Sequence, residues 1–172
     1  MRVTVKTVLI LFLSLFTSSA ISAQNRGDIE AINQLLDRYG ALEEAMDMMT
    51  QATLMSEDRV WVGDGVGRRT DQSKNMIIQQ ATFDLLKETV PGIRWFVEDR
   101  DRLIRFYGNG NVAVVSFFRY ATYLVPPETP PEIAEGFADS PPTAFTAVME
   151  KSGGEWKIVH THVSNLVPPA AG

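Results

Sequence analysis

The segment Gly154–Ser164 reads GEWKIVHTHVS and decides the fold of this chain. Its β-branched and aromatic residues are typical of a β-strand, and the Gly-Gly pair at its start is typical of a turn. Residues 143–151, just before that turn, have the same strand-like composition. The two segments therefore predict a hairpin near the end of the chain, with residues 168–172 as a flexible tail.

Two longer strands precede this hairpin. Residues 93–107 begin by alternating between the two faces with the period of a strand. The motif Gly108-Asn109-Gly110-Asn111 is a strong turn signal, and residues 112–125 return as a second β-rich run. A shorter strand is predicted at Arg59–Val62, before a glycine-rich tight turn at residues 63–67.

Helical periodicity dominates the first half of the chain. Apolar residues recur every three to four positions between Asp28 and Asp47, and a third helix is predicted between Thr70 and Val90. The methionine-rich stretch Asp47–Met55 predicts a short helix between them. Helices gathered first and antiparallel strands gathered last define an α+β protein, in which the helices cover one face of the sheet.

The proline-rich segment Pro126–Pro142 interrupts the strand pattern. It contains six prolines and four acidic residues, and proline removes the N–H donors that a sheet requires. Its prolines and acidic residues also leave the segment few apolar groups to bury. We predict that this insertion is a mobile flap that contributes little to the stability of the fold.

Residues 1–23 have the three parts of a secretory signal peptide. Arg2 and Lys6 form a basic head, an apolar run follows, and small residues close the segment. The apolar run is shorter than the roughly 20 residues of a membrane-spanning helix. We therefore predict cleavage after Ala23, a mature domain of residues 24–167 that is periplasmic or secreted, and no integral membrane segment after cleavage.

Charge and composition exclude several classes of function. The formal net charge is −5, and loss of the two basic residues of the leader makes the mature part more acidic. Because nucleic-acid binding requires a clustered basic surface, we expect no nucleic-acid partner. The chain has no cysteine, which excludes disulfide and thiolate chemistry. The glycines at residues 63–67 lack the spacing of phosphate-binding loops, so no cofactor is expected.

The strand from Trp156 to Ser164 resembles the W-x-x-V-H-x-H-x-S ending of SnoaL-like domains in the NTF2-like superfamily. Val66-Gly67-Arg68 resembles the turn into the third helix of these domains, and the resemblance extends over about residues 28–164. It implies a cone of helices wrapped by a strongly curved sheet, with an internal pocket and often a homodimer. Members of the superfamily include dehydratases, isomerases, polyketide cyclases and non-catalytic modules, so the resemblance names no activity.

Several aromatic or polar residues are predicted to lie near the pocket and to contact a ligand. They are Tyr39, Trp61, Tyr107, Arg119, Tyr120 and Trp156. Aromatic walls with a few polar groups suit a small apolar ligand. The same residues also suit an ordinary core, and the sequence leaves both interpretations open.

His160 and His162 are the only histidines of the chain. Positions two apart in a strand share a face, so we predict that both histidines lie with Trp156 and Ile158 on the concave face of the sheet. An imidazole there is a candidate general acid or base. The alternative is that both histidines are structural. Without a third histidine or a cysteine, no metal site is expected.

Asp64, Asp99 and Asp101 are the candidate carboxylate partners of an imidazole, and Asp99 is taken as the catalytic candidate. The strand period places Asp99 and Asp101 on the same face as Trp95. The charges of residues 98–102 alternate in sign, however, which is typical of a solvated strand edge with surface ion pairs.

Three functions remain open at the level of sequence. The first is an exported SnoaL-like domain that binds a small, largely apolar molecule without turnover. The second is a cofactor-free lyase, isomerase or hydratase that uses His160 or His162 as its acid or base. The third is a homodimeric assembly module that makes its contacts through the convex face of the sheet.

Overall fold

The computed structural model of the protein describes residues 26–63, 67–137 and 141–166. The predicted leader, the predicted tail and Asp64 lie outside the described residues. The chain divides into two compact units, residues 1–34 and 35–172. The described part of the first unit is helical, and the side chain of Gln34 donates a hydrogen bond of 2.8 Å to Glu30 within it.

The described residues contain four α-helices. These are α1 (residues 26–44), α2 (Met48–Ala52), α3 (Gln72–Thr89) and α4 (Pro131–Ala134). Aspartate side chains cap two of them: Asp47 accepts from the backbone N–H of Thr50, and Asp71 accepts from that of Lys74. No helix in the described part is both long and apolar enough to cross a membrane.

Six strands form one curved, unclosed sheet. They are β1 (Met55–Gly63), β2 (Gly67–Arg69), β3 (Arg94–Tyr107), β4 (Val112–Leu124), β5 (Thr143–Ser152) and β6 (Glu155–Asn165). The order across the sheet is β2-β1-β6-β5-β4-β3, and all neighbouring pairs are antiparallel except β1 and β6. The predicted α+β fold with a mainly antiparallel sheet is therefore confirmed.

Strand β2 replaces part of the predicted glycine-rich turn. It pairs with β1 through Gly63 and Gly67, which lie opposite one another. A Cβ atom on Gly67 would lie 2.7 Å from the carbonyl oxygen of Gly63, which is too close for any side chain. The glycine pattern therefore permits a close approach of two strands, and the prediction missed the second of them.

A β-bulge in β6 determines which residues face the helices. Ile158 lies opposite Met149 and His160 lies opposite Val148, so Val159 is the extra residue. A bulge shifts the alternation of side chains by one position. Trp156 and Ile158 are buried before the bulge, and Thr161 is the buried residue after it.

A second bulge interrupts β3 between Arg100 and Leu103. Asp101 lies inside it with φ = +58°, a left-handed conformation that aspartate tolerates better than most residues. The bulge separates Asp99 from Asp101: Asp99 keeps the inward direction of Trp95, and Asp101 is exposed. The prediction that the two aspartates share a face is therefore wrong.

The proline-rich segment docks on the body of the fold through two side chains. After Leu124 the chain forms the short helix α4 and a 3-10 turn, Glu135–Phe137. Ile133 and Phe137 pack against a buried cluster of Met46, Val90 and Ile93. The prediction of a loop with little to bury is wrong for residues 131–137, because these two apolar side chains lie between the prolines and the acidic residues.

Candidate functional site

A cavity of about 400 Å³ opens on the concave face of the sheet. Helices α1 and α3, five of the six strands and Pro141, just before β5, contribute to its wall. The lining residues are Tyr39, Glu43, Trp61, Gln79, Trp95, Arg119, Ala121, Pro141, Thr143, Phe145, Val163 and Asn165. Seven of these residues are aromatic or aliphatic and five have polar or charged side chains, and the charged groups Glu43 and Arg119 lie together in the wall.

Arg119 is the centre of the charged group. Its Nε and Nη2 atoms donate to the two carboxylate oxygens of Asp99 at 2.8 and 3.0 Å, and its Nη1 donates to Glu43 at 2.5 Å. The Asp99 side chain is 4% exposed and that of Arg119 is 6% exposed. Bidentate, buried and charge-assisted hydrogen bonds of this kind are strong and fix the orientation of the guanidinium group.

The other partners of the two carboxylates complete this network. Glu43 accepts a hydrogen bond of 3.2 Å from the indole nitrogen of Trp95, and Asp99 contacts Arg102 at 3.3 Å. Arg102 also pairs with Asp37 at 2.6 Å. Each oxygen of Glu43 thus has a donor within the protein, so the carboxylate is held in place.

Aromatic rings enclose the guanidinium group of Arg119. Its central carbon lies 4.8 Å from the ring centre of Phe145, 5.2 Å from that of Tyr39 and 5.5 Å from that of Phe117. Burial alone would lower the pKa of Arg119, but Glu43 and Asp99 outweigh this effect and raise the pKa above its usual value. Arg119 is therefore a permanent cation that two carboxylates neutralise.

Tyr39 connects the cavity to a second buried arginine. Burial raises the pKa of the Tyr39 hydroxyl, the charge of Glu43 raises it further, and Arg119 and Arg59 oppose the shift. Arg59 is only 1% exposed, and its Nη1 lies 3.4 Å from the hydroxyl oxygen of Thr161. Tyr39 consequently remains protonated at neutral pH and presents an O–H group rather than a phenolate.

The six predicted ligand-binding residues divide into two groups. Tyr39, Trp61 and Arg119 line the cavity, and their contact with a ligand stays a prediction. Tyr107 and Tyr120 are 57% and 38% exposed, and the guanidinium group of Arg100 lies 4.4 Å from the ring centre of Tyr120. Trp156 is buried in the core, with its ring 6.0 Å from that of Phe106. The placement of these last three near the pocket is therefore wrong.

Neither histidine lines the cavity. His160 pairs with Val148 and His162 with Thr146, and both pairs lie on the face opposite the buried residues of β5. The side chain of His162 is exposed, while that of His160 is half-buried. The prediction that both rings share a face with Trp156 and Ile158 is wrong, because the bulge at Val159 reverses the alternation.

Asp99 is near the cavity but has a different partner from the one predicted. Its carboxylate is engaged by Arg119 and Arg102, and no histidine is involved. The interpretation of residues 98–102 as a solvated edge holds for Glu98 and Arg100, which form an exposed pair at 2.7 Å.

Among the described residues no group of three or more His, Cys, Asp or Glu side chains has the geometry of a metal site.

Sequence analysis missed Glu43 and Trp95 as site residues. Glu43 follows Tyr39 by four positions in α1, and this spacing places both on one face of the helix. Trp95 is half-buried on β3, and the N–H group of a buried tryptophan needs an acceptor. Two signals in the sequence were therefore available. One is the spacing of four between Tyr39 and Glu43, and the other is the need of the Trp95 indole N–H for an acceptor, which Glu43 can supply.

The sequence belongs to the family of SnoaL-like domains, because the model of that family matches residues 32–168. The resemblance recognised from the C-terminal strand is thereby confirmed. A comparison of the sequence with curated proteins gives no match.

Solved structures share the fold at low sequence identity. An NTF2-like protein with a cystatin-like fold from Novosphingobium aromaticivorans is 18% identical, with a TM-score of 0.69 over 90% of this chain and 92% of that one. A proposed scytalone dehydratase from the same organism is 13% identical, with a TM-score of 0.64 over 85% and 89%. A protein from Catenulispora acidiphila in complex with S-DNPA is 10% identical, with a TM-score of 0.61 over 81% and 94%. At these identities the likeness concerns the fold.

Proposed function

We propose that this protein binds a small, largely apolar molecule in the cavity on the concave face of its sheet. The cavity itself carries the proposal: its volume is about 400 Å³, and Trp61, Trp95 and Phe145 form much of its wall. Ligand sites are typically concave, of roughly 300–1,000 Å³, and mostly apolar with a few placed polar groups. Gln79 and Asn165 are the uncharged amides that this cavity offers for orientation.

Binding without turnover is the simplest function of this site. The acid or base groups in its wall are Tyr39 and Glu43. Both oxygens of Glu43 are already engaged, by Arg119 and by Trp95, which opposes a role in proton transfer. The Catenulispora protein in complex with S-DNPA supports ligand binding by a domain of this fold. On the strength of residues 1–23 we place this function in the periplasm or outside the cell.

Three related compounds test the proposal: 4-ethyltoluene, 4-methylacetophenone and 4-methylbenzoate. We expect 4-ethyltoluene to bind with a dissociation constant of about 1 mM or tighter, as titration calorimetry would measure. Binding should also change the tryptophan fluorescence excited at 295 nm, because Trp61 and Trp95 line the cavity. Trp156→Phe should leave that fluorescence change in place, whereas Trp61→Phe should reduce it. The proposal is refuted if none of the three compounds binds.

A second candidate function is homodimeric assembly through the convex face. Four large apolar side chains of β3 and β4 are exposed there: Phe96 (47%), Phe118 (41%), Tyr120 (38%) and Leu124 (42%). Their positions opposite Thr122, Arg100, Glu98 and Arg94 place them on one continuous surface of the sheet. Contiguous exposed apolar groups with a polar rim are typical of protein interfaces.

The mass of the protein in solution tests this second candidate. We expect the wild-type protein to sediment as a dimer at micromolar concentration. Phe118→Asp would place a charge in the centre of the contact and is expected to weaken association at least about tenfold. Asp101→Asn, an exposed change inside the bulge, serves as the control. A monomeric wild-type protein would rule out the dimer.

A further inference from the structure

Trp95 contributes both to the cavity wall and to the packing of a buried cluster. It lines the cavity, and its indole nitrogen donates to Glu43 at 3.2 Å. The same half-buried side chain packs against the cluster of Met46, Val90 and Ile93. The position of this part of the cavity wall therefore depends on the other side chains that pack on that cluster.

Residues 131–137, which we call the docked segment, pack on the same cluster. They comprise α4 and the 3-10 turn that follows it. Ile133 and Phe137 are the two side chains of the segment that pack against the cluster. The chain reaches the cavity again at Pro141, which is itself a lining residue. The docked segment and Trp95 thus depend on one common packing surface.

Three aromatic rings connect the docked segment to Trp95. The rings of Phe137 and Tyr123 meet edge to face, with their centres 5.1 Å apart. The ring centre of Tyr123 lies in turn 4.3 Å from that of Trp95. Aromatic pairs at such distances attract one another through their ring quadrupoles in addition to the area that they bury. Phe137 therefore supports Tyr123 in its contact with the Trp95 ring.

We propose that Phe137 is a positioning residue for the ligand and that docking of residues 131–137 controls the affinity of the cavity. In the docked state Phe137 and Tyr123 hold the Trp95 ring in the wall, where it contacts an apolar ligand. In the undocked state the ligand must order this ring itself, which weakens its binding. The proposal rests on the proposed function and adds the regulation of that site to it.

Coupling of this kind is reciprocal. A ligand that binds more tightly to the docked state favours docking by the same factor. The backbone N–H groups of Ile133 and Ala134 both donate to the carbonyl of Pro130, at 2.9 and 3.0 Å. They exchange with solvent deuterium when the docked segment opens, so their exchange rates report the docking equilibrium in the unmodified protein.

Phe137→Ala is expected to weaken the binding of 4-ethyltoluene about fivefold, the size that loss of one aromatic pair would give, as titration calorimetry would measure. Phe137→Tyr keeps the ring and should restore most of the affinity. Phe106→Ala is the matched control, because it removes the ring of another half-buried phenylalanine, whose ring centre lies 6.0 Å from that of Trp156. Neither Phe106 nor Trp156 lines the cavity, so this control should leave the affinity unchanged even where it lowers stability.

Hydrogen exchange followed by NMR supplies the reverse measurement on the wild-type protein. Saturation with 4-ethyltoluene should slow exchange at Ile133 and Ala134 by about the same fivefold factor. The N–H group of Lys151, which donates to the carbonyl of Asn111 at 2.9 Å, is the internal control. Neither Lys151 nor Asn111 lines the cavity, so exchange there should not change beyond what global stabilisation gives.

The outcomes distinguish failure of the inference from failure of the proposed function. If 4-ethyltoluene binds, an unchanged affinity in folded Phe137→Ala or an unchanged exchange rate at Ile133 and Ala134 overturns the inference while the proposed function stands. Equal loss of affinity in Phe137→Ala and Phe106→Ala would indicate general destabilisation and would also overturn it. If Phe137→Ala does not fold, the exchange measurement decides alone. If none of the three compounds binds, both the proposed function and the inference fail.

Discussion

Replacing Arg119 with Met is expected to lower the free energy of unfolding by about 3–5 kcal/mol. The change keeps much of the apolar stem of the side chain and removes its charge. It leaves Asp99, whose side chain is 4% exposed, and Glu43, whose side chain is 17% exposed, without their shared cation. Removal of one partner from a buried ionic network is costly because the remaining charges lose their compensation and have little access to water.

Urea unfolding followed by circular dichroism would measure the loss. Arg119→Lys is expected to be intermediate, because lysine retains the charge but has no bidentate fork. Arg100→Met is the matched control: it removes an arginine from the neighbouring strand whose partner, Glu98, is 45% exposed. This control should change the free energy of unfolding by at most about 1 kcal/mol. A loss below about 1 kcal/mol for Arg119→Met would contradict the central role assigned to the network.

The long strands and helices follow from local patterns, and these were readable in the sequence. The hairpin signal at Gly108–Asn111 corresponds to a turn between β3 and β4, with Asn109 at φ = +59°. The predicted alternation agrees with the burial of the first half of β3, where Trp95 and Val97 are half-buried and the residues between them are exposed. Such signals depend only on a few neighbouring residues, and the turn and strand that they predict are present in the folded protein.

The two bulges explain most of the misplaced site residues. Each inserts one position and reverses every inward and outward assignment beyond it. No glycine or proline within β6 announces the bulge at Val159, so His160 and His162 were assigned to the wrong face. The register of β6 is determined by its pairing with β5. The periodicity of the β6 sequence alone carries no information about that pairing.

The buried network was hidden for a different reason. Alternating charges between Glu98 and Arg102 have the same appearance whether they are solvated or buried. What distinguishes Asp99 is a partner 20 positions away, Arg119, and a further carboxylate from α1, Glu43. The ion network forms only where α1, β3 and β4 meet, so the sequence of any one of these elements does not reveal it.

Replacing Ala121 with Phe is expected to weaken binding of 4-ethyltoluene by about 100-fold or more, beyond detection by calorimetry. Ala121 lines the cavity on β4, and its side chain is a single methyl group. A benzyl group at this position extends into the space that the ligand would occupy. Because the added ring fills a cavity rather than a packed core, the fold should tolerate it with a stability change below the usual cost of overpacking, about 1–3 kcal/mol.

Thr122→Phe supplies the matched control for this result. It adds the same ring one position further along β4, opposite the outward-facing Phe96, so the ring enters the convex surface instead. The affinity for 4-ethyltoluene should then remain within about twofold of the wild type, well under the 1.4 kcal/mol of a tenfold change. Equal loss in both variants would point to a general disturbance of the strand. Unchanged binding in Ala121→Phe would contradict a ligand that occupies the cavity beside Ala121.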